Sequence, residues 1–225
     1  GRTMNFHRRV ENIFLAPDKR DKQRKLGPSN LSNPCARHLA FDFLGANGAN
    51  TPFVMGAKIG TAIHDWLEKR VQLLEPTWVT ERKLPLGVLG SYGEVRGSCD
   101  LYIPEIKRVV DYKTTTKAKL PKLLDSFGAD PEDMEFKVRA YIAQTHLYAL
   151  SAENVGDEVD QITILFIPRD SVTFDDVRHR TINYGREYAQ HVFDRALAIW
   201  EWLEEGGDPE DLPETEGCFN CEYGH

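Results

Sequence analysis

Asp111-Tyr112-Lys113 follows Gly97-Ser98-Cys99-Asp100 after ten intervening residues, and the two carboxylates and the amine have the types needed to hydrolyse a phosphodiester with a divalent cation. Two carboxylates that face one another repel unless one is protonated or a cation lies between them. Their hard oxygens suit Mg2+ or Mn2+. An amine beside such a cation can orient or help deprotonate the attacking water and stabilise charge on the phosphate. The plain alternative is a surface hairpin with solvated charges, since an Asp-x-Lys after a strand is a common pattern.

That chemistry needs elements to position it. Residues 95–103 and 107–113 read as β-strands, and Pro104-Glu105 between them marks a hairpin turn. Asp100 then lies opposite the end of the second strand. Side chains alternate along a strand, so Asp111 and Lys113 share a face and Tyr112 points the other way. Val109 and Val110 make the approach apolar, where an Asp is costly to bury without a compensating cation. Residues 56–75 read as a helix with Ile59, Ile63, Trp66 and Leu67 at core-facing spacing, which sets His64 beside an apolar stripe. A lone histidine there is either a satisfied core residue or, beside two Asp side chains, a third ligand through a neutral imidazole nitrogen. A second helix, 132–150, carries Tyr141, Gln144 and Tyr148 on one face. A glutamine in such a stripe needs a hydrogen-bond partner, which a phosphate, a base edge or Lys113 would supply.

Together, His64, Gly97-Ser98-Cys99-Asp100, Asp111-Tyr112-Lys113 and Gln144-Thr145-His146-Leu147-Tyr148 resemble the RecB-like branch of the PD-(D/E)XK nucleases over residues 30–225. The resemblance implies an α/β fold, a mixed central β-sheet flanked by helices. It implies that His64, Asp100 and Asp111 hold Mg2+ or Mn2+, that Lys113 assists the attacking water, and that Gln144 and Tyr148 position substrate. Asp100, Asp111, Lys113, Gln144 and Tyr148 are then the catalytic set.

Of the cysteines Cys35, Cys99, Cys218 and Cys221, only the last two have ligand-type spacing. The settings Leu31-Ser32-Asn33-Pro34-Cys35-Ala36-Arg37 and Cys218-Phe219-Asn220-Cys221 resemble the cysteines that bracket the nuclease domain in iron–sulfur members, among them CRISPR-associated exonucleases and their phage relatives. In that pattern one early cysteine joins three late ones, and a [4Fe–4S] cluster staples the two ends of the fold. Here no fourth cysteine follows Cys221 in the sequence, and Cys99 sits in a strand beside Asp100. His225 can complete a set with Cys35, Cys218 and Cys221, which suits zinc as well as iron. A C-x-x-C without a metal, or a disulfide, is the alternative.

At 225 residues and 41% hydrophobic the chain can bury one sizeable core. Residues 1–30 read as a basic N-terminal arm, with Gly1-Arg2-Thr3 ahead of Met4 tag-derived, and residues 31–225 as a single nuclease-like domain. The sequence offers no apolar stretch of membrane-spanning length and no signal-peptide segment, which points to no membrane partner. Metal-type cysteines without a secretory signal fit the reducing cytoplasm of a bacterial or phage-infected cell.

A net charge of −7 and a pI near 5.5 count in sum against a nucleic-acid partner. The charges are unevenly spread. Lys and Arg are concentrated in residues 2–25, Lys113, Lys117, Lys119 and Lys122 follow one another, and residues 201–225 contain acids but no Lys or Arg. Lys117, Lys119 and Arg37 are the candidate contacts to a DNA backbone. A solvated surface is the alternative for each run.

Elsewhere, residues 32–45 read as a short helix carrying Cys35, and 77–86 as the first strand of a meander. The Lys-rich stretch around Pro121, Gly128 and Pro131 reads as a loop able to act as a lid. Residues 161–168 read as a central strand whose pairing 171–174 continues, and 180–205 as a long amphipathic helix. The expected activity is a DNA exonuclease acting on single strands or DNA ends. A structure-specific endonuclease of the same superfamily, and a DNA-binding adaptor with an idle site, are the alternatives.

Overall fold

The computed structural model describes residues 4–17, 25–45 and 53–218. Five strands form one sheet in chain order: β1 (Val79–Leu89), β2 (Gly93–Ile103), β3 (Arg108–Thr115), β4 (Gln161–Pro168) and β5 (Arg178–Asn183). Neighbours are antiparallel except β3 and β4, which run parallel. The helices are α1 (Phe6–Leu15), α2 (Pro28–Leu31), α3 (Ala36–Phe43), α4 (Met55–Leu74), α5 (Leu120–Asp125), α6 (Phe136–Asn154) and α7 (Arg186–Glu204). The sheet is mixed and flanked by helices, as the resemblance implied.

The hairpin between β2 and β3 forms where expected. Pro104 starts a single 3-10 turn, and Lys107, at φ 50°, closes it in the left-handed region. Pairing then sets Leu101 against Val110 and Ile103 against Arg108. A parallel β3–β4 pair needs a long crossover, and α5 and α6 supply it. Val109, Val110, Ile162, Ile164 and Phe166 are all buried, which suits strands covered on both faces.

One face of the sheet carries α4, whose Leu67 and Val71 pack on Leu101, Ile103, Val110 and Tyr112. On the other face Tyr148, Ala149 and Ala152 of α6 meet Tyr102, Val109 and Ile162. Behind them α7 buries Ala189, Val192, Phe193, Ala196 and Ile199 against α3 and α6. Residues 143–152 of α6 are buried on every side. A helix enclosed in this way loses its amphipathic pattern.

Several sequence expectations need correction. Residues 32–45 do not form one helix: α2 ends at Leu31, and Asn33 Oδ1 accepts the Cys35 N–H at 2.8 Å, so Cys35 is the N-cap of α3. The break falls at Pro34, which disfavours helical geometry in the residue before it. On α4, Trp66 is 60% exposed and Ile59 is also exposed, while the buried residue is Gly60. A Cβ at Gly60 would lie 3.0 Å from Thr114 Oγ1, so the helix and β3 approach by omitting a side chain.

The Lys-rich stretch contains α5, with Leu120 and Leu123 buried against Phe166 and Val138. It is packed, and the loose lid expected there is absent. Residues 171–174 do not extend the sheet. Its last strand is β5, pairing Ile162 with Ile182 and Thr163 with Thr181, and the helix expected from residue 180 begins at Arg186. Arg178 and His179 are exposed, so this edge strand lacks apolar alternation and carries charges of the kind that protect sheet edges. In the basic arm, residues 6–15 form α1, capped by Asn5 Oδ1 on the Arg8 N–H at 3.1 Å. Among the described residues no helix is long and apolar enough to cross a membrane.

Candidate metal and catalytic site

The hairpin, α4 and α6 converge on a cleft of about 920 Å³ lined by His64, Glu81, Asp100, Lys113, Tyr141 and Tyr148, among others. Asp100, on β2, is 7% exposed and accepts the Tyr112 N–H through Oδ2 at 2.7 Å. Its other oxygen is 3.2 Å from His64 Nδ1. His64 Nε2 lies 3.1 Å from the Tyr112 carbonyl, which can only accept, so this nitrogen carries the hydrogen. Nδ1 faces Asp100: it donates to that carboxylate when the ring is charged and offers its lone pair to a cation when the ring is neutral. Orientation of a ligating imidazole by a backbone carbonyl is a common supporting contact.

Asp111, on β3, is 2% exposed. Its Oδ2 lies 3.1 Å from Lys113 Nζ without an aligned hydrogen bond. Lys113 Nζ donates to Gln144 Oε1 at 2.7 Å and sits 4.7 Å from the centre of the Tyr141 ring. Gln144 Nε2 in turn donates to Tyr148 Oη at 2.9 Å. One polar chain therefore runs Asp111, Lys113, Gln144, Tyr148. It joins residues that the alternation of β3 and the helical spacing of α6 had placed on separate elements.

Burial pushes the Asp111 carboxyl well above the usual carboxylate range, with Asp100 adding to the effect and Lys113 opposing it. Burial also works upward on Asp100. There it is outweighed by the contacts to His64, Asp111 and the Tyr112 N–H, and the net shift is downward. The opposite directions follow from two carboxylates in one buried site, where charge on one disfavours charge on the other. For His64 burial works downward, but the bond to Asp100 and the charges of Asp100 and Asp111 prevail and raise it. Lys113 follows the same logic: Asp111 outweighs burial and holds it charged.

Glu81 was not anticipated from the sequence. It lies on β1 between Thr80, paired with Leu101, and Arg82, paired with Cys99, so by count it faces Asp100. Its φ of 48° is left-handed, a costly conformation for a side chain of this size and one that collects at functional sites. Ser98 Oγ donates to Glu81 Oε2 at 3.0 Å. Burial and the Asp100 charge raise its carboxyl. His64, Glu81 and Asp100 each present a ligand atom within 4.8 Å of the others. One imidazole nitrogen and hard carboxylate oxygens, beside a buried Asp111 oxygen lacking an aligned hydrogen bond, fit Mg2+ or Mn2+. A lone Glu within Thr80-Glu81-Arg82-Lys83 gives no spacing signal. Only the register of β1 against Asp100 reveals it.

The other expected residues fall elsewhere. Arg37 is not in the cleft: its Nε and Nη2 donate to the carbonyls of Leu212 and Glu210 at 2.9 and 3.1 Å, and Glu214 is 3.7 Å away. Lys117 meets Asp176 at 3.6 Å beyond the end of β3, and Lys119 lines a second, adjoining pocket. Cys35 is fully buried. Cys218 Sγ lies 3.7 Å from His38 Nδ1, and Thr215 Oγ1 donates to the Pro34 carbonyl at 3.3 Å, so the C-terminal segment reaches the start of α3. Cys221 and His225 lie outside the described residues.

No family model and no curated relative matches the sequence. Solved structures do. An alkaline exonuclease, LHK-Exo from Laribacter hongkongensis, superposes with a TM-score of 0.58 at 11% identity, over 87% of this chain and 93% of that one. The same enzyme in complex with dAMP gives a TM-score of 0.54 at 12% identity, over 82% and 90%. A structure described as an exonuclease from Eubacterium rectale gives 0.55 at 13% identity, over 100% and 94%. This chain shares the fold of these exonuclease structures across most of their length.

Proposed function

We propose that this protein is a metal-dependent DNA exonuclease acting on single strands or DNA ends. The observation that carries the reading is the Asp111–Lys113–Gln144–Tyr148 chain beside the His64, Glu81 and Asp100 ligand set in one open cleft. Exonuclease structures of the same fold, one of them in complex with dAMP, add support. The sequence-level ligand set of His64, Asp100 and Asp111 gains Glu81.

When bound there, Mg2+ or Mn2+ would polarise the scissile phosphate and acidify a water. Lys113, held charged by Asp111, stabilises charge that develops on the phosphate and orients the nucleophile. Gln144 fixes the Lys113 ammonium, and Tyr148 fixes Gln144, so the amine keeps one position throughout the reaction.

End-labelled linear and circular single-stranded DNA, incubated with Mg2+, Mn2+ or EDTA, test the reading. The expected result is cation-dependent loss of the linear strand alone, absent in Lys113→Ala. Cutting of circles would point to an endonuclease, and binding without cleavage under any cation to an adaptor.

The reading also assigns Cys35, Cys218 and Cys221, with His225 as the fourth candidate, to a structural [4Fe–4S] cluster or a zinc ion. Its support is the approach of the C-terminal segment to α3. Anaerobically purified protein that is brown, with thiolate-to-iron absorbance, would favour the cluster. Colourless protein with stoichiometric zinc would favour zinc.

A further inference from the structure

A second pocket of about 370 Å³ adjoins the cleft, and Thr114 and Tyr141 line both. Lys119, Lys122, Lys137 and Arg169 line the second pocket. Glu135 is the one carboxylate among its lining residues, and it pairs with Lys122 at 3.1 Å. Lys119, Lys137 and Arg169 thus share one concavity with an excess of positive charge.

Lys137 is placed by α6, which also builds the cleft, and Lys119 and Arg169 flank it from the start of α5 and the end of β4. Lys137 lies on α6 four residues before Tyr141 and seven before Gln144. It therefore extends the stripe that carries Tyr141, Gln144 and Tyr148. It also stands in the first turn of α6, beside an N-cap, Glu135, that makes no side-chain cap hydrogen bond and pairs with Lys122. That is the least favourable end of a helix for a lysine and the most favourable for an anion. Burial, and then the charge of Lys119, hold the Lys137 amine below its ordinary value against the opposing charge of Glu135, and Arg169 adds a smaller push downward.

Arg169 follows β4, and its N–H donates to the Thr115 carbonyl at 3.0 Å, which anchors it at the exit of β3. Its guanidinium rests over Gly56, where a Cβ would lie 3.2 Å from Cζ. The absence of a side chain on α4 is what makes room for it.

We infer that this pocket is a phosphate subsite for the substrate strand, in which Lys119, Lys137 and Arg169 take a backbone phosphate of a nucleotide adjoining the scissile one. The inference rests on the nuclease reading above, because it uses the shared Thr114–Tyr141 wall to continue the strand's path. Clustered cations that repel one another in the free protein are stabilised by an anion between them. A nucleic-acid backbone supplies that anion at regular intervals beyond the reacting phosphate.

The test is binding of a short fluorescein-labelled single-stranded DNA oligonucleotide, followed by fluorescence anisotropy in EDTA, with the Lys137→Gln/Arg169→Gln variant against wild type. Binding is expected to weaken about tenfold or more, with a salt dependence shallower by about 0.7 in log–log slope for each phosphate that the variant fails to neutralise. Oligonucleotides carrying a single neutral methylphosphonate at successive positions then locate the bound phosphate. At one internal position the substitution should weaken wild type but leave the variant unaffected.

Wild-type affinity in the variant, or losses that add at every position, would overturn the inference. So would an effect that follows only a terminal phosphate. The variant should melt at or above the wild-type temperature, since repulsion has been removed, and a lower melting temperature would show a structural role instead. Because binding is read without a cation, failure of wild type to cleave would count against the nuclease reading alone.

Discussion

The cleft and the seam between α3 and the C-terminal segment treat buried polar groups in opposite ways. In the seam they reach fixed partners. Arg195 donates to the Asn33 and Pro34 carbonyls at 2.8 and 3.2 Å, Arg37 donates to those of Leu212 and Glu210, and Asp42 lies between His38 at 3.6 Å and Asn30 at 3.3 Å. In the cleft Asp111 keeps an oxygen without an aligned hydrogen bond, burial raises its carboxyl while the contacts of Asp100 lower the neighbouring one, and Glu81 holds a left-handed backbone. Satisfied groups hold a structure together. Groups left short of partners mark a place prepared for something that is not part of the chain.

The sharpest way to break this contrast is in the cleft. Lys113→Ala should lower cleavage by about 10²- to 10³-fold and Asp111→Asn by a similar factor, measured on end-labelled DNA. Asp111→Asn keeps the shape of a carboxyl that burial already drives toward its neutral form, so its melting temperature should stay close to that of wild type. Unfolding of Asp111→Asn would mean that the cleft, like the seam, is built for stability. Arg195→Met should do the reverse, costing about 2 kcal/mol in urea denaturation through two charged hydrogen bonds, with the cleavage rate of the folded fraction unchanged.

Glu81→Gly releases the left-handed backbone and should stabilise the fold by about 1 kcal/mol. Titration calorimetry with Mn2+ should show weakened binding in the same variant. Unchanged Mn2+ affinity would remove Glu81 from the ligand set.

The smallest effect concerns His146, remote from the cleft. Burial holds its imidazole below the ordinary value, and its Nδ1 lies 2.8 Å from the Ile142 carbonyl. The unfolded chain therefore takes up the proton first, so stability is full above the unfolded value near 6.5 and declines as pH falls from there toward the folded value. Urea midpoints measured across that window should decline less steeply in His146→Gln.

The arrangement of Asp100, Asp111, Lys113, Gln144 and Tyr148 was legible because each residue sits at a local period: two along a strand, or three to four along a helix. The same periods announced β2, β3, α4 and α6, and a continuous apolar run announced β4. Where local pattern is weak the reading strayed. The edge strand β5 has charged residues in place of alternation, and α5 was hidden behind Pro121 in a stretch dominated by lysines. Arg37 shows a different limit: a cation close in sequence to a cysteine motif gives no sign of whether it faces DNA or a carbonyl 175 residues away.

What the chain determined by itself was the chemistry available and the elements that carry it, because residue type and short-range periodicity are local properties. Tertiary structure alone decided which groups meet. It brought Glu81 to Asp100 through the register of β1 on β2, set Lys113 against Gln144, and gathered Lys119, Lys137 and Arg169 around one pocket. Those contacts depend on strand register and on the packing of α4 and α6 over opposite faces of the sheet. Packing and pairing energies between distant segments select that arrangement, and no local pattern in the sequence encodes it.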